Sequence, residues 1–61
     1  MDLRVLAEYK EMPGLGLTVV QAARLFGLGP ETAAVTLRRL EGHGFLGRTR
    51  DGRFVIRRYE G

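Results

Sequence analysis

The sequence predicts a mainly helical α+β domain, three helices plus a small antiparallel β-hairpin, and three observations predict it. Three stretches carry apolar residues at helical spacing, each bounded by start or stop residues. After Gly44 the spacing changes to strand-like alternation centred on Asp51-Gly52, a dipeptide suited to a hairpin turn. The chain has 61 residues and no cysteine, so residues 1–61 are expected to form a single domain without disulfides or thiolate-bound zinc. A domain this short buries only roughly 60% of the surface that its unfolded chain exposes. All elements must therefore share one small core.

Asp2 suits the cap of a first helix in which Leu3, Leu6, Ala7 and Lys10 share the inner face, Lys10 through its methylene stem, while Arg4, Glu8 and Glu11 meet water. Met12-Pro13-Gly14 ends that helix, because the residue before proline is pushed out of helical geometry. Leu15-Gly16-Leu17 reads as a short extended piece that could supply a third strand. Thr18 opens the second helix with a capping box closed by Gln21. Val19, Ala22, Ala23 and Phe26 form its buried stripe, Gly27 stops it, and Leu28 packs under the turn.

The stretch from Gly27 to Phe45 is the centre of the chain. Gly29 stands as N-cap and Pro30 at the first helical position, followed in the first turn by Glu31, whose charge complements the helix dipole. Ala33, Leu37, Leu40 and Gly44 make an apolar stripe, with Thr32, Thr36, Arg39 and His43 on the other side. Two helices joined by so few residues around a glycine cross steeply, as in a helix-turn-helix; a plain helical hairpin is the other reading. A helix packed on one face and polar and basic on the other suits the major groove of DNA.

In the hairpin, a two-residue type I′ turn at Asp51-Gly52 would pair Arg50 with Arg53, Thr49 with Phe54, Arg48 with Val55, Gly47 with Ile56 and Leu46 with Arg57. Phe54 and Ile56 then face inward with Thr49 and Gly47, and Arg48, Arg50, Arg53, Val55 and Arg57 face outward. Four arginines on one side are mutually repulsive unless an anion sits among them, or unless they serve only to discourage edge pairing. Charge agrees with this asymmetry. Residues 1–31 hold three cations against four carboxylates, whereas residues 32–59 hold seven arginines against two. A basic C-terminal half is the electrostatic footprint of a nucleic-acid binder, although a solvated surface has the same composition.

Helix, short strand, helix, turn, helix and two-stranded hairpin, in that order, resembles the winged helix-turn-helix domains of bacterial transcriptional regulators, including the multiple-antibiotic-resistance and arsenic-responsive families. The likeness runs from Leu3 to about Tyr59 and is closest in LTVVQAARLFGLGPETAAVTLRRLEGHGFLGRTRDGRFVIR, residues 17–57. The resemblance implies a recognition helix at 30–43 in the major groove and a wing at 46–58 on the backbone or minor groove of double-stranded DNA. It assigns Thr32, Thr36, Arg38, Arg39, Arg48, Arg50 and Arg53 to DNA contact. Ala34 and Val35 depart from the polar residues usual at their positions; they could touch thymine methyls but not read a base by hydrogen bonding.

A second reading is a protein-interaction or dimerisation module with Val20, Leu25, Ala34 and Val35 as its contact face, the partner being a second copy or another protein. RNA is a weaker expectation, since Tyr59 is the only aromatic near the hairpin identified for stacking. Catalysis is not expected, nor is a cofactor, metal or small-molecule ligand. His43, between two glycines, is better placed to serve the helix C-terminus or a phosphate than as a base. Gly42 to Gly47 matches G-x-G-x-x-G by letter but follows a helix and precedes a strand, the reverse of a nucleotide-binding loop. No apolar run reaches the ~20 residues of a membrane span and no signal-peptide pattern is present, so a cytoplasmic protein is expected.

Overall fold

The computed structural model describes residues 2–57. In chain order these form α1 (Asp2–Glu11), β1 (Gly16–Leu17), α2 (Val19–Phe26), α3 (Pro30–Gly42), β2 (Leu46–Arg48) and β3 (Phe54–Ile56). The strands make one antiparallel sheet in the order β1-β3-β2, so the short piece after α1 does become the third strand. The architecture is mainly helical α+β. The expectations that fall on Arg58 and Tyr59 lie outside the described residues.

The core is built from every element. Val5, Leu6 and Tyr9 of α1 meet Leu17 of β1, Ala22 of α2, Leu37 and Leu40 of α3, Leu46 of β2 and Phe54 of β3, with Leu15, Val19, Phe26 and Ile56 packed around them. The inner face of α1 differs from the expected one. Leu3 is 81% exposed, and Ala7 and Lys10 also face water, while Val5, Leu6 and Tyr9 are buried. These three lie within an arc of about 100°, and the arc is set by the largest apolar body available. Tyr9 is fully buried, and its hydroxyl donates to the Phe54 carbonyl at 2.8 Å. A tyrosine can be the most buried residue of the helix because its polar tip has a partner.

The α2 signals act as expected. Thr18 Oγ1 accepts from the Gln21 backbone N–H at 3.2 Å while Gln21 Oε1 accepts from the Thr18 N–H at 3.0 Å. Gly27 takes φ 67°, and the N–H groups of Gly27 and Leu28 both reach the Ala23 carbonyl. The chain restarts at once, with Gly29 extended as the N-cap and Pro30 opening α3. At the far end Gly44 adopts φ 86°, and Phe45 N–H returns to the Leu40 carbonyl at 3.0 Å, closing α3.

The hairpin register is shifted by one residue from the expected one. Leu46 opposes Ile56, Gly47 opposes Val55 and Arg48 opposes Phe54, leaving Arg50, Asp51 and Gly52 in the turn. A type I′ turn would need positive φ at Asp51, and among the described residues no non-glycine residue has it; within the turn only Gly52 does, at φ 83°. The Gly52 N–H instead closes a four-residue turn on the Thr49 carbonyl, with glycine at its last position. This is the three-residue hairpin in which a left-handed glycine follows an ordinary turn. Among the described residues, no helix is long and apolar enough to cross a membrane.

Tyr9→Phe removes the donor to Phe54 and should cost about 1 kcal/mol, or roughly 4–8 °C in thermal midpoint for a domain of this size. Burial also pushes the Tyr9 hydroxyl from its ordinary 10.0 up to about 12. The folded state favours the neutral phenol, so this stabilisation is intact below pH 10 and is lost as pH rises from 10 through 12. Thermal melts by circular dichroism should show that alkaline loss in the wild type and a smaller one in Tyr9→Phe.

Candidate nucleic-acid interface

The outer side of α3 is set by what its inner side must bury. Ala33, Thr36, Leu37 and Leu40 are buried, leaving Glu31, Thr32, Val35, Arg38, Arg39 and Gly42 exposed along the helix. Glu31, Val35, Arg38 and Gly42 follow one line, and Thr32 and Arg39 flank it. Thr36 does not belong to this surface. It is only 3% exposed, and the expectation that it contacts DNA is corrected by its place in the packed arc. A row of residues four apart winds about 40° around the helix at each step, so Thr32 at the edge leads to Thr36 under cover.

Of the seven proposed contact residues, Thr32, Arg38 and Arg39 thus share the open side of α3. The hairpin supplies the others, and the register decides how they are held. Arg48 opposes Phe54 and therefore lies on the core side of the sheet rather than projecting outward with the other arginines. Its guanidinium sits 4.5 Å from the centre of the Phe54 ring, and Nη2 donates to Glu41 Oε1 at 2.8 Å. It is a lid over the core that ties β2 to α3.

Arg50 stands exposed at the turn and has no ion pair among the described residues. Arg53 is exposed but anchored. Its Nε donates to Asp51 Oδ2 at 3.1 Å and its Nη1 to the Gly16 carbonyl at 3.3 Å. The Thr49 hydroxyl hydrogen-bonds Asp51 Oδ1. That bond, with Arg53 beside it, holds the Asp51 carboxyl below its usual range. The turn is therefore stapled by Thr49, Asp51 and Arg53, with Arg50 exposed beside them.

The residues of the protein-contact reading are dispersed. Val20 is 60% exposed, Leu25 and Val35 are each 54% exposed, and Ala34 is half-buried. Val20 and Leu25 sit five positions apart on α2, so their directions differ by about 140°. Val20 borders an open groove of about 370 Å³ with Ala23, Arg24, Gly27, Leu28 and Pro30. Sequence reasoning missed Phe45, which is 46% exposed beside the fully buried Leu46. The alternation of β2, read backward from Leu46, is the signal that marks it. The chain matches no protein-family model, no curated protein and no solved structure.

Arg48→Ala should lower stability by about 1 kcal/mol, through the lost ring contact and a partly exposed ion pair. Arg50→Ala should stay within about 0.5 kcal/mol of wild type. Urea unfolding reads both values, and equal losses would remove the distinction between a packed and an available arginine.

Proposed function

We propose that the chain is a winged helix-turn-helix module that binds double-stranded DNA, with α3 in the major groove and the β2–β3 hairpin as the wing. The observation that carries this reading is the open side of α3: a line of exposed residues that includes Arg38, with Thr32 and Arg39 beside it, entered by a short turn from α2. Thr32 is placed to hydrogen-bond a base edge or phosphate, and Val35 to touch a thymine methyl. Arg38 and Arg39 meet phosphates, and Arg50 reaches the backbone or minor groove from the tip of the wing. Ion pairs with phosphate dominate the affinity, because few side chains on this surface can read a base. The module acts by binding, without catalysis, and regulation of transcription is the use this suggests.

A protein-contact module remains the second reading, favoured by Val20 beside its open groove on α2. The two separate on salt. Fluorescence anisotropy with a mixed-sequence duplex should give a log affinity against log salt slope of about −2.7, from three phosphate contacts at about −0.9 each. Arg38→Ala and Arg50→Ala should each flatten that slope by about 0.9. A slope near zero, or no binding at low salt, rejects the DNA reading in favour of a protein partner.

A further inference from the structure

The outer face of the sheet carries residues that α3 leaves unused. Gly16 of β1 and Gly47 of β2 both oppose Val55 of β3, so these three lie in a row across the sheet. Arg53 and Arg57 stand two residues to either side of Val55 and emerge on the same face. The two glycines keep the arginine stems low. A Cβ on Gly47 would stand 3.2 Å from Arg57 Cγ, and one on Gly16 would stand 3.3 Å from Val55 Cγ1 and 3.7 Å from Arg53 Cδ. The floor of this face is therefore flat and its walls are cationic.

At one end of the floor is an aromatic ring. The Arg57 N–H donates to the Phe45 carbonyl at 3.0 Å, which places the two residues opposite each other across the strands. Leu46 points into the core, so its predecessor Phe45 falls on the outer face, nearly half exposed, with the His43 ring 6.2 Å away and tilted by 42°. The exposed Asp51 carboxylate is paired with Arg53. An exposed phenyl ring, a flat floor and the two exposed guanidinium groups of Arg53 and Arg57 are together the elements of a stacking platform for unpaired nucleotides.

We propose that this face binds single-stranded nucleic acid, with one base stacked on Phe45 and phosphates of the same strand against Arg57 and Arg53. A duplex keeps its base faces covered, so this surface is distinct from the α3 side and selects for unpaired strand. The guanidinium of Arg53 exchanges an exposed carboxylate for a phosphate. Such an exchange costs little, because exposed ion pairs are weak.

The chain contains no tryptophan, so Phe45→Trp introduces a single indole that can be excited selectively over the two tyrosines. Titration with a short oligodeoxythymidylate or oligouridylate should quench it saturably, and added salt should weaken the response; the stronger of the two responses identifies DNA or RNA. In anisotropy with a labelled single strand, Phe45→Ala should weaken binding about tenfold. The same variant should keep its circular dichroism and its duplex affinity, while Arg38→Ala should weaken the duplex and spare the single strand. Absence of quenching, no binding of either strand, or unchanged single-strand affinity in Phe45→Ala overturns the proposal. Loss of the duplex signal alone overturns only the α3 reading.

Discussion

The hydrogen bond from Tyr9 to the Phe54 carbonyl is the constraint on which the rest depends. It joins α1 to the middle strand of the sheet, and Phe54 lies at the crossing of both strand pairings, opposite Leu17 on one side and Arg48 on the other. A core of so few residues has little redundancy, and here its largest member is also the one that fixes the position of β3. The Phe54 ring in turn gives Arg48 its seat. The orientation of one hairpin arginine thus descends from a phenol at the other end of the chain.

Hairpin register sorts the basic residues into separate tasks. With strand alternation, moving the pairing by a single residue exchanges the two faces of β2 relative to β3. The observed pairing puts Arg48 over the core, Arg53 and Arg57 on the opposite face and Arg50 in the turn. A cluster that would have been self-repelling is divided instead. Two of its members, Arg48 and Arg53, are balanced by Glu41 and Asp51, and the rest are kept apart by geometry.

What could be read from the sequence was local. The Thr18 capping box, the left-handed glycines at 27 and 44, Pro30 at the start of α3 and the third strand at Gly16–Leu17 all follow from neighbours within a few residues. Three features escaped because nonlocal packing decides them. The inner face of α1 turned to admit Tyr9, whose carbonyl partner lies far away in sequence. Thr36 was covered although its spacing matched Thr32. The turn chose a three-residue form because Asp51 kept negative φ, which Asp-Gly allows but does not require. On the candidate surface the direction of Arg39 was legible, while that of Arg38 and the separation of Arg48 from Arg50 were not. The register had to be known first.

The pairing of β1 with β3 has a kinetic meaning as well. Helices α2 and α3 and the hairpin form from contacts near in sequence, whereas Tyr9 and Phe54 are 45 residues apart. Closing so long a loop carries an entropic cost that grows with the logarithm of its length, and topologies with distant contacts fold more slowly than purely local ones. The two-residue strand β1 is too short to repay that cost through its own ladder. Its closure therefore draws on α1 docking at the same moment, so that the first helix and β1 join the hairpin together.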